Sequence, residues 1–461
     1  MDRRQFIVGT LAAGTAASLL PTALPAAVST GDKPRVRRSV MTMKADDPFF
    51  ADYAKAITAM HELEKTSPSD PRTWRNQALV HLQHCPHGAE DFVHWHRYYL
   101  TYFEQICAQF SGNPDFTLPY WDWSYGTGII PDPFYDVPAL NVTYWKDRSD
   151  AQSDNWGPDE VTTVGIRILP RGSGVQEGSK GGAFTAATLE GILANTVFDN
   201  FTKSLEGTPH NTGHVVVGGT QGHMGDGMSP LDPIFWLHHC MVDRMWAAWQ
   251  ARGNATPPLD KNYSNQFVDG QGKPVTGITS AGSLNYPALG YIYDGITPPA
   301  QSVLTASARR LSGSAASKPV AASTQPVAFN GSAVTTIGLD TPAGAPRSLE
   351  AAAPGGRLLA DVAVGSAPTL SPLLVNVFVN KPDATAETPY TDPHFVGTFS
   401  FFGGHRNHAM PLNFVLDLTK VAGQLTADGS DPTLQFVPVY VQPVAGTPPA
   451  FTIRSVRILR G

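Results

Sequence analysis

Most of the 14 histidines in this chain fall in three short, otherwise apolar stretches, and that clustering limits what the chain can fold into. The first stretch reads Val80-His81-Leu82-Gln83-His84-Cys85-Pro86-His87, followed by Val93-His94-Trp95-His96-Arg97. From His96 the positions Leu100, Phe103, Cys107 and Phe110 recur at helical spacing, which predicts a helix opening at His96 with that histidine on its buried face. His81 follows Trp74 and Ala78 in the same rhythm, at the end of a helix begun after Pro71. In Glu206-Gly207-Thr208-Pro209-His210-Asn211-Thr212-Gly213-His214, Pro209 suits a helix start, and His210 and His214 share one helical face. The third stretch, Asp232-Pro233-Ile234-Phe235-Trp236-Leu237-His238-His239-Cys240-Met241-Val242-Asp243-Arg244-Met245-Trp246, again sets histidine in a buried helix.

One buried histidine is usually a satisfied core residue. At least six on separate apolar helical faces are costly unless something neutralises or ligates them, and a metal is the simplest compensation. The pair His210 and His214 first suggests zinc, but a zinc protease needs H-E-x-x-H and Asn211 stands at the glutamate position. No cysteine or carboxylate sits where a fourth zinc ligand is expected. Two all-imidazole trios on a four-helix scaffold suit copper instead, with an open face left at each ion.

These residues resemble the type 3 copper family of tyrosinases, catechol oxidases and molluscan hemocyanins. Asn76 to His81, the spacing of nine from His87 to His96, and Trp95-His96-Arg97-Tyr98-Tyr99-Leu100 are similar to the family's copper A motif. Leu118-Pro119-Tyr120-Trp121-Asp122-Trp123 resembles the signature that follows it. Glu206, Pro209-His210-Asn211, His214 and Asp232 to Trp246 resemble copper B, and Tyr291-Ile292-Tyr293 resembles the mark that closes the core. The resemblance implies two copper ions, one on His81, His87 and His96 and the other on His210, His214 and His239. It makes His238 and Asp243 supports behind the ligands, and leaves His84 and His94 as extras. Cys85-Pro86-His87 matches the arrangement that forms a thioether between cysteine and a copper A histidine in some members; a plain buried thiol is the other reading. Glu206 and Asn211 fall where the family holds a basic water, although a glutamate there also suits a helix dipole.

The implied reaction is oxidation of small phenols by O2: o-hydroxylation of monophenols and conversion of o-diphenols to o-quinones. A catechol or o-aminophenol oxidase without monophenolase activity is the alternative, and an oxygen-binding hemocyanin-like protein a more distant one. The expected fold is a mainly α core, a four-helix bundle around the dicopper site, over residues 36–295. Residues 296–360, rich in Ala, Ser and Pro, read as a linker, with room for a strand in Val327 to Leu339. Apolar alternation in residues 361–461 predicts a small all-β sandwich. Its motifs, among them Asp392-Pro393-His394-Phe395, resemble the C-terminal domain of plant polyphenol oxidases, which implies a lid over the site. His405 and His408 read as solvated loop residues.

Arg3-Arg4-Gln5-Phe6-Ile7, the apolar run from Val8 to Leu20 and Pro25-Ala26-Ala27 read as a twin-arginine export signal over residues 1–27, hence a periplasmic or secreted protein. The run is too short for a stable membrane anchor. A formal net charge of -6 gives no basic field for nucleic acid, and three cysteines cannot make a disulfide framework. A homo-oligomer is compatible with the composition.

Overall fold

The computed structural model describes residues 33–144, 164–257, 259–299, 319–341, 356–365, 368, 371–402, 412–425, 431–444 and 446–460. The expected signal at 1–27 and the pair His405 and His408 lie outside the described residues. Among those described, no helix is long and apolar enough to cross a membrane.

The first helices start on local caps. Asp47 accepts from the Phe49 N–H to open α1 (Pro48–Thr66), and Thr73 accepts from Asn76 to open α2 (Trp74–His84). Helix α3 (Phe92–Ser111) begins one turn earlier than His96 and stops at Gly112, whose φ of 76° places it in the left-handed region. Short α4 (Pro133–Asp136) and α5 (Ala186–Leu193) follow. Then α6 (Phe198–Leu205), a π-turn (Glu206–His210) and α7 (Asn211–Gly218) form one continuous run, before α8 (Ile234–Ala251). Pro209 therefore does not start a helix. It sits inside the π-turn, where the wider hydrogen-bonded ring accommodates a residue without an N–H.

Helices α2, α3, α7 and α8 bring the histidine stretches together. Behind them β1 (Arg35–Arg37) pairs in parallel with β2 (Tyr291–Tyr293). There Arg37 donates to Glu104 and Asp243, and Arg97 donates to Asp243 at 2.6 Å. The hydroxyls of Tyr291 and Tyr293 complete the Asp243 carboxylate at 2.6 and 2.7 Å. Both guanidiniums also lie on aromatic faces, Arg37 on Tyr291 and Arg97 on Trp246.

The C-terminal part is a sandwich of antiparallel sheets. One runs β5 (Thr335–Gly338), β10 (Thr433–Tyr440), β7 (Leu373–Val379), β8 (Phe395–Ser400). The other is β3 (Ala321–Ser323), β11 (Phe451–Arg460), β6 (Leu358–Val364), β9 (Asn413–Asp417), with β4 (Val327–Phe329) also on β11. Strands β3 to β5 come from the stretch expected to be linker. They are short and pair at the margins of sheets whose centres lie elsewhere; β4 and β5 fall within Val327 to Leu339, where the sequence leaves room for a strand, whereas composition conceals β3. Strand β7 is buried at every position. Leu373, Val375, Val377 and Val379 face the sandwich core, whereas Leu374 joins the helical core. One sheet is thus covered on both sides, and the helical part and the sandwich share an interface.

Candidate metal centre

All six histidines predicted as ligands meet in one place. The rings of His81, His87 and His96 lie 5.2 to 5.9 Å apart, and those of His210, His214 and His239 lie 4.7 to 5.5 Å apart. The two groups face each other where His96 and His239 stack at 4.2 Å, nearly parallel. Their potential ligand atoms, with Cys85 in one group and His238 in the other, cluster closely enough to hold a metal ion in each.

Hydrogen bonds set the tautomers. His81 Nδ1 lies 2.8 Å from the Gly227 carbonyl, His96 Nδ1 2.8 Å from Phe92 O, and His214 Nδ1 2.7 Å from Met224 O. A carbonyl only accepts, so each Nδ1 carries the proton and each Nε2 presents a lone pair. His210 Nδ1 is placed likewise, 2.9 Å from Asn211 Oδ1, while the other end of that amide donates to Ser400 O. His238 is the reverse. Its Nδ1 accepts from the Trp123 indole N–H at 3.1 Å, so its proton sits on Nε2 and that nitrogen has no lone pair for a metal. His239 has no such tie: its Nε2 lies 3.4 Å from His214 Nε2 and its Nδ1 is buried without a hydrogen-bond partner.

Burial holds these imidazoles neutral. It pushes His96 down to about 3, and His210, His214 and His239 well below the usual histidine range, helped by neighbouring histidines. A pocket of neutral imidazoles with inward lone pairs, and with the His210 Nε2 left unbonded, fits a soft or borderline metal cation.

The remaining predicted residues are placed as follows. Cys85 Sγ lies 3.4 Å from both ring nitrogens of His87 and 3.3 Å from His96 Nε2. Burial, with Glu206 and Asp91 nearby, raises its thiol well above the ordinary value. Glu206 is buried in the π-turn, accepts from the Gly88 N–H at 2.6 Å, and is pushed by burial up to about 8. Asp243 does not reach the histidines of the site; its carboxylate is taken by Arg37, Arg97, Tyr291 and Tyr293. The resemblance made it a support behind the ligands, but the arginines and tyrosines behind the bundle hold it instead.

Sequence reasoning did not identify Phe402. It follows β8 and lies flat on His214, ring centres 3.6 Å apart and 9° between planes, with His87 at 5.1 Å and His210 at 5.7 Å. The resemblance implied a lid over the site, but no periodicity distinguishes Phe402 from Phe401. Beside it a cavity of about 460 Å³ is lined by Glu206, Asn211, Gly88, Lys261 and Leu412.

A helical bundle presents two facing imidazole groups, each able to hold a metal ion, with an aromatic side chain lying across them. The chain belongs to the tyrosinase family: residues 52–252 match the model of the common central domain of tyrosinase. It is 31% identical over 260 residues to a tyrosinase of Streptomyces glaucescens, covering 51% of this chain and 89% of that protein. It is 27% identical over 294 residues to polyphenol oxidase C of Solanum lycopersicum, covering 56% of this chain and 46% of that protein. The chain thus spans about half the length of the tomato polyphenol oxidases it matches. Among solved structures, a latent aurone synthase (polyphenol oxidase) superimposes with a TM-score of 0.66 at 21% identity, covering 96% of this chain and 91% of that one. That likeness extends the shared fold to the β-sandwich.

Proposed function

We propose that this chain is a copper-dependent phenol oxidase whose site is covered by its own β-sandwich. The observation that carries the reading is the pair of facing imidazole trios with Phe402 stacked on His214, a place this reading gives to the phenol ring. His81, His87 and His96 would hold one copper, and His210, His214 and His239 the other, with His238 supporting from behind. A copper pair so held supplies the binding and reduction of O2. The overall changes balance as monophenol plus O2 giving o-quinone and water, and two o-diphenols plus O2 giving two o-quinones and two waters.

The chain's own groups bind, orient and shield. Phe92 and Phe235 pack on the histidines and keep water from their faces. The His214 ring offers the platform on which a substrate ring stacks. Glu206 and Asn211 border the same cavity, which supports a shared role in holding the water that takes the phenol proton. A free phenol has a pKa of about 10, so a monophenol needs such help near neutral pH. The Asn211 amide is engaged at both ends, by His210 and by Ser400, while the sandwich is docked. That feature favours, as the second reading, a catechol or o-aminophenol oxidase without monophenolase activity. Cys85 Sγ is equidistant from the two nitrogens of His87, as it would be if it faced the Cε1 between them, which supports the thioether. The export reading rests on the sequence of residues 1–27: the Arg3-Arg4 motif, the apolar run after it and Pro25-Ala26-Ala27.

Oxygen uptake with a monophenol, a catechol and an o-aminophenol tests the reading, using the full chain and Phe402→Ala. The variant should oxidise phenols at least about tenfold faster, since an open stacking place replaces a filled one. Equal rates would show that Phe402 does not occupy the substrate's position.

A further inference from the structure

Five of the six histidines sit on helices or on the π-turn that continues one. His87 alone is carried by a loop, between the end of α2 at His84 and the start of α3 at Phe92. The next residue, Gly88, has a φ of 69°, a left-handed conformation that lets the chain reverse direction there. Its N–H points at the Glu206 carboxylate, 2.6 Å away and across 118 residues of sequence. Glu206 opens the π-turn that ends in His210. The same hydrogen bond therefore joins the segment bearing one metal group to the segment bearing the other.

We propose that Glu206 is a positioning residue for the first copper: by holding the Gly88 N–H it fixes the His87 loop at the distance that completes the His81, His87 and His96 trio. This rests on the copper assignment above and adds a function distinct from holding water. A carboxyl oxygen accepts from the Gly88 N–H whether Glu206 is neutral or ionised, and the 2.6 Å separation makes the bond short and directional. Supports of this kind usually matter about ten- to a hundredfold to metal affinity. The second copper, held from α7, α8 and the π-turn, should feel the loss less.

The test compares copper content after dialysis against a chelator, with amide hydrogen exchange at Gly88, in the copper-loaded full chain. Glu206→Gln keeps an acceptor oxygen and should retain about two coppers and a protected Gly88 amide. Glu206→Leu should hold about one copper, release the first at least about tenfold more readily, and expose the Gly88 amide. Protection of the α3 amides in the same experiment reports that the bundle is intact. Two firmly held coppers in Glu206→Leu would overturn the proposal, as would Glu206→Gln behaving like Glu206→Leu. Fewer than two coppers in the unaltered chain would instead count against the copper assignment itself, so the two failures are distinct.

Discussion

At the scale of single residues, the deciding property is which nitrogen of each imidazole carries the proton. His238 and His239 are neighbours in sequence and both buried, yet Trp123 directs the His238 lone pair away from the centre. His239→Ala should therefore abolish phenol oxidation, as should His96→Ala, with the far-ultraviolet spectrum of both little changed; full activity in either would remove the ligand assignment. The thiol makes a second prediction. If Cys85 is joined to His87, the loaded chain weighs one pair of hydrogens less than the sequence mass, lost as S–H and C–H with O2 as the electron acceptor. Cys85 would then resist alkylation in denaturant, and Cys85→Ser should lower activity rather than erase it. A third concerns a histidine away from the centre. His61, packed near Trp74 and 6% exposed, is pushed by burial down to about 3. The unfolded chain binds a proton there below about pH 6.5 and the folded chain does not, so stability falls as pH drops through that window. Unfolding of copper-free protein in urea at pH 7 and pH 5 should differ by about 2 kcal/mol less in His61→Leu than in the unaltered chain. An identical loss in both would refute it.

Elements explain why some of this was readable in the sequence and some was not. Helices α2, α3 and α8 carry apolar residues at the helical period, so their buried faces and the histidines on them follow from spacing. The π-turn does not, because Pro209 is an ordinary helix-start signal and only the join to α6 reveals its other use. The sandwich strands were visible where sheets are covered on both sides, as in β7. Strands β4 and β5 fall in the stretch Val327 to Leu339, where the sequence leaves room for a strand, but β3 was not visible, since Ala and Ser at a sheet margin resemble linker. The tautomer of His238 depends on Trp123, 115 residues away, and no local pattern encodes it. The Asp243 network gives a prediction at this scale. Asp243→Ala leaves Arg37 and Arg97 buried without part of their countercharge, and removing one partner of such a cluster costs about 3–5 kcal/mol. Thermal unfolding should show the loss, and a shift near zero would mean that Glu104 suffices.

Over the whole molecule, the sandwich grips the bundle at separated points. Asn211 donates to Ser400 O at 2.9 Å, Asn376 to Ser179 O at 2.9 Å, and Ser204 to Val415 O at 2.8 Å. Gly207 lies so close to Phe414 that a Cβ there would stand 2.5 Å from the ring. A cut in the connecting chain alone should therefore leave the two parts associated. A protease site placed within 301–318 should raise turnover only after the fragments are separated, and more for bulky phenols than for small ones. If separation changes neither the rate nor the preference for size, the sandwich is a stabiliser and not a cover.

The order of strands along the chain has a consequence for assembly. Strand β11 is the last of the described elements, yet it pairs with β3, β4 and β6 and so forms the spine of its sheet. That sheet cannot close until residue 460 has been made, long after the bundle residues up to 299 are available to fold. Phe402 follows β8, whose own sheet takes its last strand from β10, so the imidazoles lack that ring at least until residue 402 has been made. Up to that point in synthesis the histidine groups lack the ring that stacks on His214 in the finished fold.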